Sequence, residues 1–385
     1  MQQCAVVHRC AAGRSRQRCA WRSRRRECSS VPSSIAAPPS VDGGAVALTL
    51  QQLSTHGFVV VKLSADVVSL MGDLRRCMKR FFGGTIREKD AYRTRQEGDR
   101  VLSHPGYLTP SPGWSELFEV RCSARDRSYK FPPACETPCS AVFEALRRVC
   151  IDCLAHISAH LTGDAAFLPR LVSHDSAPSV LRVLHYDQVP ELHAQLQTLN
   201  RGERAQGEAR LRAAFPAHTD GSLLTLGPRG TCAGLMVRDY ASGEWVDVEA
   251  AMAEDEACLF CGDPLAFLSR HHFPSCMHQP DALLMAQHAP TQRLSMPFFL
   301  YPDVEATLDA SRTRPSLRAA GGKPLYDAGA GAAVVRAADL PLNVGGVRSK
   351  WAWKREEYYA GLVMADDANP FPGVQEQYVP RAGYG

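Results

Sequence analysis

The spacing of hydrophobic residues changes character near residue 180. Before that point, two long stretches repeat apolar residues every three to four positions, which is the period of an amphipathic helix. The first stretch covers residues 67–81 and the second covers about 139–161. Beyond residue 180, short apolar runs are separated by Gly, Pro and Asp, which is typical of strands joined by turns. The pattern therefore predicts helices first and a β-rich core afterwards.

The predicted strands are short and numerous. One lies at Phe58–Leu63, and seven follow residue 180: VLRVLHY, LLTL, LMVRD, EWVDV, ACLFC, LLMAQH and RLSMPFFLYP. Many short strands without intervening helices indicate a sandwich or barrel. A polar segment at residues 190–215 interrupts this run and is predicted to be helical, as are residues 350–362 near the end. Residues 86–135 are predicted to be rich in loops.

Composition places the chain among ordinary globular proteins. It has 385 residues, of which 45% are hydrophobic and 22% are charged, enough for one large domain with extensions. No apolar run approaches the roughly 20 residues that a membrane helix needs, so we expect no membrane partner. We also expect a monomer.

The positive charge is concentrated at the N-terminus. Residues 1–46 hold eight arginines against two acids, whereas the rest holds 36 basic and 38 acidic residues. The folded part thus has no basic excess that would favour nucleic-acid binding. An acid-poor leader rich in Arg, Ser, Ala and Cys is typical of an organellar transit peptide, for a plastid or a mitochondrion. A disordered basic arm or a wrongly assigned start are the alternatives, and they would leave the protein in the cytoplasm.

The fourteen cysteines do not form a disulfide framework. Four lie in the leader and ten are scattered, without the dense spacing of a small secreted domain. Two C-x-x-C pairs, Cys150/Cys153 and Cys258/Cys261, lie within a predicted helix and a predicted strand. A structural zinc needs four ligands brought together, so buried free thiols are the favoured interpretation.

The stretch FPAHTDGSLLTL carries the first candidate chemistry. His218 and Asp220 are two residues apart, and on an extended strand both would lie on one face. Two histidines and one carboxylate can form a facial triad for non-heme Fe(II), which leaves open positions for a co-substrate and dioxygen. The candidates for the second histidine are His271, His272, His278 and His288.

The stretch RLSMPFF carries the second candidate. Arg293 and Ser295 are also two apart on a predicted strand, so their side chains project the same way. A buried arginine is rarely left unpaired, and a guanidinium beside a hydroxyl suits a carboxylate. A keto acid with two carboxylates could therefore bridge the metal and Arg293.

The ordered series HTDGSLLTL, GLMV, GEWVDV, GDPLAFLS, H and RLSMPFFLYP resembles the 2-oxoglutarate and Fe(II)-dependent dioxygenases of the isopenicillin N synthase-like class. This class includes the plant flavonoid and gibberellin oxidases. Upstream, HGFVVV, SELFEV and LRVLHY extend the resemblance over residues 48–305. It implies a double-stranded β-helix, or jelly-roll, core with flanking helices.

The resemblance also implies the roles of individual residues. It selects His278, nine residues after Ser269, as the third metal ligand beside His218 and Asp220. It assigns Arg293 and Ser295 to the far carboxylate of 2-oxoglutarate, with Tyr186 in the same pocket. The implied reaction is the oxidation, chiefly the hydroxylation, of a small organic metabolite with release of succinate and CO2. The implied cofactors are Fe(II), 2-oxoglutarate and O2, with ascorbate as an optional addition.

The chain departs from the class pattern at three places. Residues 193–214 look like an insertion, Leu184 replaces an asparagine, and the interval from His278 to Arg293 is about five residues longer than usual. Two alternatives stay open, a jelly-roll oxidase that does not use 2-oxoglutarate and a metal-binding jelly-roll protein without turnover. Four regions are expected: a leader at 1–46, a mainly helical region at 47–175, the jelly roll at 176–305 and a C-terminal extension at 306–385.

Overall fold

We describe a computed structural model of the chain. It describes residues 35–36, 43–93, 106–111, 115–121, 130–172, 179–186, 194, 197–205, 207, 217–286, 292–303, 305–314, 334–337, 341–344 and 347–350. The helices that matter for the site are α1 (Gly43–His56), α2 (Ala65–Phe82), α3 (Ile86–Asp90), α4 (Glu136–Thr162), α5 (Asp263–Leu268) and α6 (Ala282–Ala286). None of these described helices combines the length and apolar composition that a membrane crossing requires.

The strands in chain order are β1 (Ile35–Ala36), β2 (Phe58–Lys62), β3 (Gly106–Ser111), β4 (Ser115–Val120), β5 (Val180–Tyr186), β6 (Leu224–Pro228), β7 (Leu235–Arg238), β8 (Trp245–Asp247), β9 (Glu256–Cys261), β10 (His278–Pro280), β11 (Arg293–Ser295), β12 (Phe298–Leu300), β13 (Thr307–Asp309), β14 (Val334–Arg336), β15 (Pro341–Val344) and β16 (Val347–Lys350). The main sheet has the order β1-β2-β9-β6-β12-β5-β4-β3, with β11 also paired to β5. A smaller sheet has the order β10-β7-β8. Apart from β1–β2, the pairs in both sheets are antiparallel.

The outer face of the main sheet packs on the two long helices. Phe298 of β12 meets Phe143 of α4 edge to face, with ring centroids 5.1 Å apart. Alternate residues of β5 and β6 join the same apolar core, which also contains the buried positions of α2 and α4. The helix α4 ends at Gly163, whose φ of 85° favours glycine and whose N–H bonds to the Ala159 carbonyl. This core therefore covers one face of the main sheet with packed apolar side chains.

The opposite face of the main sheet carries polar and aromatic side chains. Residues directly opposite each other on paired strands share a face, so the pairing register identifies the whole set. We call this set the interior face: Leu117, Glu119, Arg182, Leu184, Tyr186, Thr225, Phe260, Arg293, Ser295 and Phe299. The residues that sequence reasoning assigned to the 2-oxoglutarate pocket all lie on this face.

Several sequence-based predictions are confirmed. The predicted helices appear as α2 and α4, and the predicted strands after residue 180 appear as β5 to β9, β11 and β12. The fold is mainly antiparallel β with flanking helices, as expected for a jelly roll. In the polar segment, the described residues 194, 197–198, 201–205 and 207 are helical. The predicted terminal helix falls outside the described residues except for Lys350, which ends β16.

Two predictions of local structure are wrong. LLMAQH was predicted to be a strand, but residues Ala282–Ala286 form α6. The carboxylate of Asp281 accepts hydrogen bonds from the backbone N–H groups of Leu283 and Leu284, which stabilises a helix start. Within residues 86–135, which were predicted to be rich in loops, Gly106–Ser111 and Ser115–Val120 form the antiparallel pair β3–β4, in which Tyr107 and Phe118 are buried.

Candidate metal and co-substrate site

The structure brings His218, Asp220 and His278 together between the two sheets. One ligand atom from each residue lies within 4.8 Å of the others. His218 and His278 are joined by a pair of backbone hydrogen bonds of 3.0 and 2.9 Å, an isolated bridge that places their rings 4.4 Å apart. His218 thus lies on a bridge to β10, and Asp220 lies in the irregular segment just before the bend at residues 221–223, rather than on the continuous strand that we expected.

The carboxylate of Asp220 is fixed by its neighbours on β6. The Thr225 hydroxyl donates to Asp220 Oδ2 at 2.6 Å and lies 2.8 Å from the Ser222 hydroxyl, which can donate to it in turn. Both Nε2 atoms of the histidines lie 3.8 Å from an Asp220 oxygen. Hydrogen bonds of this kind orient a metal ligand and tune its basicity. Sequence reasoning did not identify Thr225, although it follows the H-x-D motif within the same apolar run.

The turn that carries Asp220 depends on Gly262. A Cβ at position 262 would overlap the carbonyl oxygens of Ser222 and Asp220, so only glycine fits there. The next residue, Asp263, donates its N–H to the Asp220 carbonyl at 2.8 Å and accepts a hydrogen bond from the Thr219 hydroxyl at 3.1 Å. Gly262 and Asp263 therefore hold the turn that carries Asp220 in place.

His278 is oriented by its own backbone neighbourhood. Its Nδ1 lies 3.1 Å from the Cys276 carbonyl, so Nδ1–H donates there and Nε2 is the atom available to a metal. The ring packs against Phe260 with centroids 4.6 Å apart. Asp220 and His278 are buried, whereas the side chain of His218 is 26% exposed. Two imidazoles and one carboxylate that lie this close together fit Fe(II).

The other histidine candidates lie elsewhere or outside the described residues. His272 pairs with His160 of α4, with Nε2 atoms 3.1 Å apart. His271 has a φ of 61° in the turn after α5, where its N–H bonds to the Ala266 carbonyl. His288 falls outside the described residues. Across the part of the chain that is described, His218, Asp220 and His278 form the single group of three or more possible ligands, and no cysteine joins such a group.

Tyr186, Arg293 and Ser295 are neighbours on β5 and β11. Arg293 pairs with Tyr186 across the strands, and Ser295 pairs with Leu184. The Tyr186 hydroxyl bonds to Ser295, and the Arg293 guanidinium lies 6.0 Å from the Tyr186 ring centroid. Burial raises the pKa of Tyr186, so its phenol stays protonated at neutral pH. These three side chains stand together where a carboxylate could be held.

Arg293 also has an internal carboxylate partner that the sequence did not reveal. Glu249 accepts Nη1–H of Arg293 at 2.7 Å and Nη2–H at 3.1 Å. Its two oxygens also accept the N–H groups of Gly230 and Leu235, at 2.8 and 2.9 Å. Burial opposes the charge on Arg293, but Glu249 together with the nearby Tyr186 and Cys232 outweighs burial, and the pKa of Arg293 is raised. The feature of the sequence that could have indicated this partner is the acidic residue Glu249, directly after WVDV.

One nitrogen atom of the Arg293 guanidinium takes no part in these hydrogen bonds. Its Nε is buried and has no hydrogen-bond partner in the described structure. An arginine has two bidentate edges, and Glu249 occupies the one formed by Nη1 and Nη2. The second edge, which contains Nε, suits a carboxylate oxygen. The residues present therefore fit both Fe(II) and the far carboxylate of 2-oxoglutarate.

Comparison with known proteins agrees with this geometry. The profile of the 2OG-Fe(II) oxygenase superfamily matches residues 177–302, which contain the two histidines, Asp220, Arg293 and Ser295. The 2-oxoglutarate-Fe(II) type oxidoreductase hxnY of Emericella nidulans is 25% identical over 184 residues. That match covers 48% of this chain and 45% of the relative, so the chain matches less than half of that protein.

Solved structures share the fold at low sequence identity. A full-length Neurospora crassa protein, solved in complex with alpha-KG and thymine, is similar with a TM-score of 0.57 and 17% identity, covering 80% of this chain and 94% of the fungal chain. The dioxygenase for auxin oxidation from rice has a TM-score of 0.56 and 17% identity, covering 86% of this chain and 96% of the rice chain. At this level of identity the likeness concerns the fold.

Proposed function

We propose that this chain is a member of the 2OG-Fe(II) oxygenase superfamily, whose profile its residues 177–302 match, and that it is an Fe(II)- and 2-oxoglutarate-dependent dioxygenase that hydroxylates a small organic metabolite. The observation that carries the proposal is the group formed by His218 with the buried Asp220 and His278, on the same interior as Arg293. Desaturation or ring closure would use the same centre. Membership of the isopenicillin N synthase-like class is part of the proposal and rests on the order of the motifs.

Each residue has a defined task in this mechanism. Fe(II), when bound together with 2-oxoglutarate and dioxygen, would supply the oxidising chemistry, with succinate and CO2 as the co-products. His218, Asp220 and His278 would hold the iron. Thr225 keeps the Asp220 carboxylate oriented, and the Cys276 carbonyl keeps His278 in the correct tautomer. Ser295 and the Nε edge of Arg293 hold the far carboxylate of 2-oxoglutarate, beside Tyr186.

The proposal is tested with the purified chain, Fe(II) and 2-oxoglutarate. Iron content after anaerobic loading and succinate release during incubation with metabolite extracts are the two measurements. His278→Ala should lose both, whereas His272→Ala should keep both because His272 contacts His160 instead. Retention of full iron content in His278→Ala, or no 2-oxoglutarate-dependent succinate in any extract, would contradict the proposal.

A second candidate function is an oxidase of the same fold that does not use 2-oxoglutarate. The observation that favours it is Glu249, which already supplies a carboxylate to Arg293. Dependence of substrate turnover on added 2-oxoglutarate separates the two functions. Turnover without this co-substrate would favour the oxidase.

The cellular setting is also a proposal. The arginine-rich, acid-poor residues 1–46 support import into a plastid or mitochondrion. The balanced charge of the remaining residues supports a small-molecule substrate rather than a nucleic acid, and a monomer stays our prediction. A reporter fused to residues 1–46 should enter an organelle. Retention of that fusion in the cytoplasm would defeat the targeting proposal without affecting the proposed chemistry.

A further inference from the structure

The outer face of the main sheet carries a buried polar network within its apolar packing. Glu116 of β4 lies directly opposite His185 of β5, and His185 Nδ1 lies 3.0 Å from Glu116 Oε1. The other oxygen of Glu116 accepts hydrogen bonds from Lys89 Nζ at 2.6 Å and from the Tyr107 hydroxyl at 2.7 Å. All four residues are buried. We call Glu116, His185, Lys89 and Tyr107 the Glu116 network.

The Glu116 network is well satisfied and fixed from the helical side. Burial raises the pKa of Glu116, but the hydrogen bonds from His185, Lys89 and Tyr107 outweigh burial, so the pKa lies below its usual value and the carboxylate is charged. Phe82, at the end of α2, stacks on the His185 ring with centroids 5.0 Å apart. The Phe82 carbonyl also accepts a hydrogen bond from Lys89 Nζ at 3.1 Å. A satisfied buried network of this kind favours a single arrangement of its strands.

His185 also reaches the residue at which β11 begins. Its Nε2 lies 3.3 Å from the side-chain oxygen of Gln292, the residue directly before Arg293. In the backbone pairing, His185 lies opposite Leu294, between Arg293 and Ser295. One imidazole therefore links three strands, because it contacts the carboxylate of β4 and the start of β11 and is itself part of β5.

The register of β11 decides which of its side chains enter the interior. The strand has three residues, and in the observed register Arg293 and Ser295 lie on the interior face while Leu294 lies on the outer face. A slip of one residue would exchange the two faces. It would also move the Gln292 side chain away from its partner on β5. The Gln292 backbone is held in place as well, because its carbonyl accepts the Thr231 hydroxyl at 3.0 Å.

We propose that His185 is a positioning residue for the co-substrate. Through Gln292 it holds β11 in the register that keeps Arg293 and Ser295 in the pocket. This inference rests on the proposed function and concerns a residue on the opposite face of the sheet, which touches no ligand itself. The three metal ligands lie on other segments of the chain. Loss of the contacts of His185 should therefore weaken the binding of 2-oxoglutarate far more than the binding of iron.

The test measures 2-oxoglutarate binding and Fe(II) binding separately, by calorimetric titration without oxygen. His185→Phe removes both hydrogen bonds of the imidazole but keeps a ring for Phe82 to stack on. We expect the iron-saturated variant to bind 2-oxoglutarate about tenfold more weakly than the wild type, with a change in Fe(II) affinity of less than about twofold. His185→Gln, whose amide can restore one hydrogen bond, should recover part of the loss. Gln292→Ala removes one contact at an exposed position and should weaken 2-oxoglutarate binding about threefold.

The matched control is Val183→Ala, because Val183 is buried on the same face of β5 but packs in the apolar core. It should lower the melting temperature and leave the affinity for 2-oxoglutarate unchanged. If His185→Phe does not fold, Gln292→Ala decides. Wild-type affinity for 2-oxoglutarate in these two variants, an equal loss in Val183→Ala, or an equal loss of iron binding overturns the inference. A wild-type protein that binds iron but no 2-oxoglutarate would overturn the proposed function as well, so the two failures are distinguishable.

Discussion

Arg293 and Glu249 form a bidentate ion pair in the interior of the protein although they are 44 residues apart in the chain. The carboxylate is saturated, because the backbone N–H groups of Gly230, before β7, and of Leu235, the first residue of β7, also bond to it. The guanidinium is not saturated, because its Nε lacks a partner in the described structure. Glu249 therefore positions Arg293 on one edge and leaves the other edge for a ligand.

This pair predicts a stability effect for Arg293→Ala. Removing one partner leaves a buried, uncompensated carboxylate, which typically costs about 3–5 kcal/mol. We expect a corresponding loss in the free energy of unfolding, measured by urea denaturation. The double variant Arg293→Met/Glu249→Gln should recover part of it, since both charges are removed and the amide oxygen of Gln can still accept a backbone N–H that Glu249 accepts. Wild-type stability of Arg293→Ala would show that the pair is not formed in solution.

We predict that Arg293→Lys weakens the binding of 2-oxoglutarate. A lysine keeps the charge but cannot present the second fork of a guanidinium, so we expect 2-oxoglutarate to bind about tenfold more weakly. The measurement is calorimetric titration of the iron-loaded protein with 2-oxoglutarate. Arg238→Lys, at the exposed end of β7, is the matched control and should bind normally. Unchanged affinity in Arg293→Lys would move the interpretation towards an oxidase without this co-substrate.

We predict that Thr225→Val binds iron more weakly than the wild type, although no metal ligand is removed. The substitution keeps the shape of the side chain but removes the hydroxyl that bonds to Asp220. Loss of such an orienting group typically reduces metal affinity about 10–100-fold, and we expect roughly that change in Fe(II) titrations. Ser222→Ala, which removes only the next hydroxyl, should have a smaller effect. Equal iron affinity in Thr225→Val and wild type would exclude a role for this hydroxyl.

We predict that Gly262→Ala lowers both the stability of the protein and its binding of iron. The added Cβ would overlap the Ser222 and Asp220 carbonyl oxygens, so the ligand turn must move. We expect a lower melting temperature and reduced iron content. Gly72→Ala is the control, because a Cβ in that helix meets its nearest atom, Arg76 Nη1, at an ordinary 3.6 Å. A normal iron content in Gly262→Ala would show that the turn tolerates the shift.

Some of the fold could be predicted from local sequence because the relevant forces are local. The period of the apolar residues identifies α2 and α4, since burial of one helix face requires that period. LLMAQH was misjudged because a short apolar run fits either period, and the capping carboxylate of Asp281 decides for a helix. The hairpin β3–β4 was missed because Pro and Gly obscure the alternation that packing of Tyr107 and Phe118 requires.

For the site, the sequence by itself determined which kinds of residue are available. The spacing of His218 and Asp220, and of Arg293 and Ser295, follows from the two-residue period of extended chain, and the order of motifs marks the family. Only the tertiary structure decided which distant residues meet. The bridge between His218 and His278 joins residues 60 positions apart, and Glu249 reaches Arg293 through the register of separate strands. Such contacts depend on how sheets pair and close, and that free energy is shared by the whole core rather than encoded in any short segment.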